Sequence, residues 1–284
     1  MDWFALGAYN HRADRFSLKD VSVKIDKKNL SLMLERAGIS AVSNLSLAHP
    51  ELPPRTVRKV GRPKAQSSDS TRERILFEAE KLFAAGGYDG TSIRDVASAC
   101  GCQIQSIGYH FGQKDQLFDT VIARRAKIMN TIRSTALTSL RGSAGSGVLP
   151  VEYLVRAYVS PFIASANSGD EGWRNYAALM GRLANSKLGT DTIARHYNDM
   201  AKAYISEFRR SLPLASEISV VNGMLFMVAS MLAICADTGR AKQLSNSVSI
   251  MQDGQTRADD ELERLVTFIV AGFRALEQSD ISAA

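Results

Sequence analysis

The sequence predicts an all-α protein with a three-helix unit over residues 71–118 and a longer helical unit over residues 119–278. Three observations predict it. Between residues 71 and 118, apolar residues fall into three short runs at helical spacing, separated by glycines and hydroxyl residues. Beyond residue 118 the apolar period stays helical, with breaks only at 142–147, Pro150, 167–170, 186–189, Pro213 and 253–254. No alternation of period two competes with it.

Each element of the first unit has its own signal. Asp69 to Thr71 can cap a helix whose apolar face is Ile75, Leu76, Ala79, Leu82 and Phe83. Gly86-Gly87 ends it, and Thr91-Ser92 opens a shorter helix with Ile93, Val96 and Ala97 inward. A third helix starts near Gln103. Ala97 lies four residues before Gly101 and Ile107 six after it. A small residue at the crossing, a glycine in the turn and an aliphatic anchor on the next helix are the packing arithmetic of a helix-turn-helix. In the second unit the breaks delimit helices at 114–140, 151–166 with a kink at Pro161, 171–185, 190–211, 217–238 and 259–277, leaving 279–284 as a tail.

Composition narrows the classes. With 45% hydrophobic and 23% charged residues the chain reads as an ordinary globular protein. The longest apolar stretch, from Met224 to Cys235, is short of the about 20 residues that span a bilayer. Asp2, Asn10 and Arg12 interrupt the N-terminal apolar residues, so no signal-peptide core forms and a cytoplasmic protein with no membrane partner is expected. Cys100, Cys102 and Cys235 read as reduced, buried thiols, and the C-x-C spacing is poor for zinc. No metal and no cofactor is expected. Four histidines, no glycine-rich phosphate loop and no nucleophile elbow argue against an enzyme, and no catalytic residue is assigned.

The net charge of +6 is local: residues 55–130 hold thirteen Lys or Arg against eight Asp or Glu. Concentrated positive charge suits a polyanion. Residues 1–54 show short apolar clusters such as Leu30, Leu32, Met33 and Leu34 but no sustained period, and receive no fold. Residues 55–70 form a basic arm around Gly61-Arg62-Pro63-Lys64, where Arg62 and Lys64 suit an extended chain in a minor groove. A solvated basic linker is the alternative.

The run Ser106-Ile107-Gly108-Tyr109-His110-Phe111-Gly112-Gln113-Lys114-Asp115, with Thr91 to Ala97 and Gly101 before it, resembles the DNA-binding domain of the tetracycline-repressor (TetR) family in unbroken register over roughly residues 71–120. The resemblance implies a sequence-specific transcriptional regulator, a repressor released from its double-stranded operator by a small, largely apolar ligand. It also implies a homodimer paired through its last two helices. Rival readings are a nonspecific nucleoid-type DNA binder and a protein-interaction adaptor. Two positions depart from the family's pattern: Gly108 stands where an aromatic is usual, and Ile104 where a polar residue is common.

Residue chemistry assigns roles beside that likeness. Thr91 and Ser92 at a helix N-terminus suit a phosphate. Gln103, Gln105 and Ser106 carry donors and acceptors for base edges, and Ile104 either packs inward or meets a thymine methyl. Tyr109 and Lys114 suit phosphate contacts. His110 either lies beside the DNA, as the family implies, or caps and packs. In the second unit Tyr158, Phe162, Trp173, Tyr176, Met180, Tyr197, Met200 and Tyr204 are candidate ligand-lining residues, or simply core. Arg174, Arg182 and His196 are available for a carboxylate or phosphate, so an acyl chain or aromatic acid is favoured over a cation. For the dimer, Gly223, Ala229 and Ser230 permit close approach and Met224, Met227, Val228 and Met231 fill gaps, with Val266, Ile269, Val270 and Phe273 as the stripe on the last helix; the same stripes also suit a monomer core.

Overall fold

The computed structural model describes residues 68–184, 186–236, 243–244 and 254–283. Residues 1–54 and the arm with Arg62 and Lys64 lie outside them. Among the described residues the helices are α1 (Ser68–Gly86), α2 (Ile93–Cys100), α3 (Ile104–Phe111), α4 (Lys114–Ala144), α5 (Val151–Ala166), α6 (Glu171–Leu183), α7 (Lys187–Ser211), α8 (Glu217–Cys235) and α9 (Gly254–Ala283), with no strand.

The head forms because its apolar residues converge. Ile75, Leu76, Ala79 and Phe83 of α1, Val96 and Ala97 of α2 and Ile107 and Phe111 of α3 are buried, and α4 completes the packing with Leu117, Phe118, Val121 and Ile122. Ser92 caps α2: the Asp95 amide donates to its hydroxyl at 3.2 Å and its own amide donates to the Asp95 carboxylate at 2.8 Å. Gly101 ends α2 at φ 60, ψ 37, a left-handed conformation that a residue with a Cβ resists. The sequence reading of reduced thiols is corrected here. Cys100 and Cys102 are joined in a disulfide, because the turn at Gly101 brings their Cα atoms to 5.4 Å. Cys235 is a free, buried thiol, pushed up to about 12 by burial.

Behind the head, α1 packs on α4 and α6, α4 on α5 and α7, and α8 on α5, α6, α7 and α9. One apolar core runs from Ile75 to Phe273. Helix α5 passes through Pro161 as a single element. Helix α9 runs to Ala283, so the residues set aside as a tail belong to it as far as that position; the Ser216 amide donates to the Asp280 carboxylate at 2.8 Å and fixes the end of α9 against the start of α8. Helix α8 is longer than its apolar stretch and is apolar enough to cross a membrane by composition alone. Its inward face is packed on four other helices.

Of the dimer residues named from sequence, Ala229 is exposed and Val228 and Ser230 are half-buried, but the others follow the monomer-core alternative. Gly223, Met224, Met227 and Met231 of α8 and Val266, Ile269, Val270 and Phe273 of α9 are buried in the chain's own core, and Gly223 lies directly against the Phe273 ring. The stripe that repeats most regularly is the one the two helices share with each other. The opposite faces leave Ile218, Leu225, Phe226 and Phe268 exposed.

Candidate functional site

Helix α3 has two faces. Ile107 and Phe111 anchor it to the head, with the Arg72 guanidinium 5.2 Å from the Phe111 ring centroid. Ile104, Gln105, Gly108 and Tyr109, at i, i+1, i+4 and i+5, form an exposed outward face. Tyr109 is 85% exposed, and a Cβ at Gly108 would meet nothing within 4 Å. Gln103 precedes the helix, exposed and with no side-chain capping bond. Ser106 is half-buried beside this face. Of the two roles open to Ile104, inward packing is ruled out by its exposure. An apolar side chain, two amides and a phenol around a glycine gap offer a base-reading surface on a helix narrow enough for a major groove.

Residues at the ends of the face are placed differently from one another. The half-buried His110 ring lies edge-on to Tyr109 at 5.1 Å between centroids. The Lys114 ammonium sits 4.1 Å from the Tyr88 ring centroid, and the Tyr88 hydroxyl donates to Asp115, a bond that pushes its pKa up to about 12. Lys114 is thereby held at the start of α4, close to where α3 ends. Thr91 is a correction. It is 4% exposed, and its hydroxyl is within donating distance of the Leu82 and Gly87 carbonyls at 3.1 and 2.9 Å, so it closes the end of α1 and faces no phosphate. Ser92 is exposed, but its amide and hydroxyl both reach Asp95, at 2.8 and 2.7 Å, which spends these donors on a carboxylate. Those bonds hold Asp95 below the usual carboxylate range.

The candidate ligand-lining residues converge in the bundle. Tyr158 and Tyr204 meet edge-on at 5.0 Å between ring centroids, and Tyr176 contacts Phe162 and Trp173 at 6.3 and 5.9 Å. The Tyr176 and Tyr197 hydroxyls are 2.5 Å apart. Burial raises the pKa of Tyr176, Tyr197 and Tyr204, Tyr197 to about 12, so all three stay protonated near neutrality. Met180 is buried with them, whereas Met200 is only partly covered. The cations named for an acidic head group are not there. Arg174 and Arg182 are exposed, and His196 is hydrogen-bonded to Asp119 at 2.9 Å.

Residues 75–121 match the family described as bacterial regulatory proteins, tetR family, and residues 156–272 match the tetracyclin repressor-like C-terminal domain. The chain belongs to the TetR family. It is 37% identical over 65 residues to the HTH-type transcriptional repressor NicS of Pseudomonas putida, a match covering 23% of this chain and 30% of that protein. It is 33% identical over 73 residues to the repressor AcnR of Corynebacterium efficiens, covering 25% and 38%. The matched part thus spans about a third of the length of these curated relatives. Among solved structures it is similar to HlyIIR, a hemolysin II transcriptional regulator, with 14% identity, a TM-score of 0.46 and coverage of 71% of this chain and 97% of that one. Salmonella enterica GusR gives 18%, 0.44, 75% and 100%.

In this TetR chain the head and bundle meet at a charged junction that sequence reasoning missed. Glu80 of α1 is fully buried and receives Arg125 Nε and Nη2 at 3.0 Å each and Arg124 Nη2 at 3.0 Å. The Arg125 guanidinium also lies 4.7 Å from the Trp173 ring centroid on α6. Arg133, further along α4, is buried in the bundle. A signal was available: Glu80, Arg125 and Arg133 occupy positions in phase with the apolar stripes of their helices, where a charge is expensive unless it has a purpose.

Proposed function

We propose that this chain represses transcription as a homodimer, reading operator DNA with α3 and releasing it when a small, largely apolar ligand enters the bundle around Tyr176. The observation that carries the reading is the outward face of α3, where Ile104, Gln105 and Tyr109 stand exposed while Ile107 and Phe111 fix the helix to the head. Exposed apolar side chains at Ile218, Leu225, Phe226 and Phe268 supply a pairing face on α8 and α9, the helices through which TetR-like chains dimerise. Two heads then meet two half-sites. The location that follows from this role is the cytoplasm.

Operator recovered by selection from random duplexes tests it. Affinity for operator should exceed that for random DNA by about a thousandfold or more and keep a large ratio as salt rises. Gln105→Ala should change preference at particular bases by about 1 to 3 kcal/mol, and Lys114→Ala should weaken all sequences alike. Phe226→Glu should yield monomers in sedimentation and lose operator binding with the fold intact. Equal affinity for operator and random DNA, or a monomer that binds operator at full strength, would overturn the reading.

A further inference from the structure

Two arginines are buried among the described residues, and they are treated differently. Arg125 holds the Glu80 carboxylate with two hydrogen bonds. Arg133 is 1% exposed and forms no ion pair with any described acidic residue; its Nε donates to the Tyr158 carbonyl at 2.9 Å, and its Nη2 meets the Met231 sulfur at 3.7 Å. Its guanidinium carbon is 3.7 Å from the Tyr158 ring centroid. A carbonyl, a thioether and a ring face carry no negative charge, so they return less than desolvating the ion costs.

A second feature of the bundle is a pair of phenols bonded to each other. When the Tyr176 and Tyr197 hydroxyls bond to each other, one hydrogen is shared and the other has no acceptor among the described residues. Both phenols are deeply buried, and the Arg133 charge acts on both, pulling their pKa values down against the larger effect of burial. Helix α5 links the two: the Arg133 guanidinium lies on Tyr158, and Phe162, one turn further along, lies against Tyr176, which also meets Trp173. A carboxylate answers both needs with one negative charge. A phosphomonoester brings about two and would overcompensate a single arginine.

We propose that Arg133 and the Tyr176–Tyr197 hydroxyl pair form the anion-binding end of an effector site, taking the carboxylate of a small acid whose apolar remainder packs against Phe162 and Trp173. This names the ligand class for the effector reading above and rests on it. The cation is the one that Arg174, Arg182 and His196 do not provide.

The test uses the full chain and a panel of carboxylic acids, butyrate through dodecanoate with phenylacetate, each beside its neutral primary amide. At least one carboxylate should raise the thermal midpoint while its amide at equal concentration does not. Arg133→Met, which keeps a stem of similar length and removes the charge, should fold with an undiminished midpoint and lose the response. Tyr197→Phe, which removes one hydroxyl and little else, should weaken the same carboxylate by about tenfold or more and serves if the arginine variant is unstable. No response to any acid, equal responses to acid and amide, or a response that survives both variants would overturn the site. Operator affinity separates the two readings. An acid that binds through Arg133 without releasing operator overturns the release and leaves the site standing, whereas release by the neutral amides alone overturns the site and leaves the release standing.

Discussion

Replacing Glu80 by glutamine keeps the side chain's shape and removes the charge that ties α1 to α4. In the native junction the carboxylate accepts two bonds from Arg125 and one from Arg124, each at 3.0 Å. Glu80 is fully buried and the Arg125 side chain is only 10% exposed, so solvent cannot replace the lost partner. Breaking a buried pair from one side costs about 3 to 5 kcal/mol, out of a folding free energy of about 5 to 15 kcal/mol. At about 2 to 4 °C per kcal/mol, the thermal midpoint should fall by roughly 6 to 20 °C. Glu80→Leu combined with Arg125→Met should recover most of the loss, because both desolvation costs disappear together. Arg124 keeps its contact with Glu73 at 3.2 Å in that variant. Circular dichroism gives the midpoint, and tryptophan emission reports the junction directly, since Trp173 lies against Arg125 and the other tryptophan is Trp3. A Glu80→Gln midpoint within about 2 °C of the parent, the size of an ordinary surface effect, would refute the electrostatic account.

Three further outcomes are expected. Thr91→Val preserves shape but leaves the Leu82 and Gly87 carbonyls without their donor; urea unfolding should show a loss of about 1 to 3 kcal/mol, and a base-specific change in DNA preference would return Thr91 to the interface. Asp119 is raised by burial, but its bonds and charge interactions with His196 and Arg195 carry it below the usual aspartate value. A lowered folded pKa means that its contribution is complete above the unfolded value of about 3.9 and fades as pH falls through the folded one. The stability gap between parent and Asp119→Asn should therefore close in acid as pH falls through the folded pKa; a gap that widens there would contradict the assignment. Gly172→Ala places a methyl group on the Arg125 guanidinium and next to the Asp170 carboxylate, so the guanidinium must leave its seat between Glu80 and Trp173. Urea unfolding should show about 1 to 3 kcal/mol of destabilisation with shifted Trp173 emission, and an unchanged spectrum would mean that the junction yields freely.

The helices of this chain were legible because period, caps and breaks act locally. Gly86-Gly87, Ser92 and Gly101 mark boundaries that the structure keeps to within a residue or two. The direction in which a helix turns its faces is decided by partners distant in sequence, and there the period left a dimer seam and a monomer core both open. On α8 and α9 the regular apolar stripe is the intrachain seam, and the looser set of Leu225, Phe226 and Phe268 faces outward. Thr91 shows the same limit at smaller scale: a hydroxyl beside a helix start reads as a cap, but the carbonyls of Leu82 and Gly87 compete for it. The aromatic residues of the bundle, noted from composition as ligand-lining or simply core, pack together in it. Among the cations, Arg174 and Arg182 are conspicuous in a polar context and lie exposed, whereas Arg133 hides in an apolar phase and is buried.

Helix α4 is one unbroken rod shared by both halves of the molecule. Its 31 residues at 1.5 Å each make it about 46 Å long, so a tilt of about 5° pivoting at one end moves the other by about 4 Å. Its first turns touch Tyr88 and the head, its middle carries Arg125 and Arg133, and its far end is tied to α7, where Arg141 pairs with Glu207. A rod of this kind needs no hinge to carry motion between its ends. In the proposed dimer, with half-sites about 34 Å apart on DNA, opposite tilts in two subunits would change the span by about 8 Å, enough to miss register, and any change in how the rod seats at its middle would be magnified at the head.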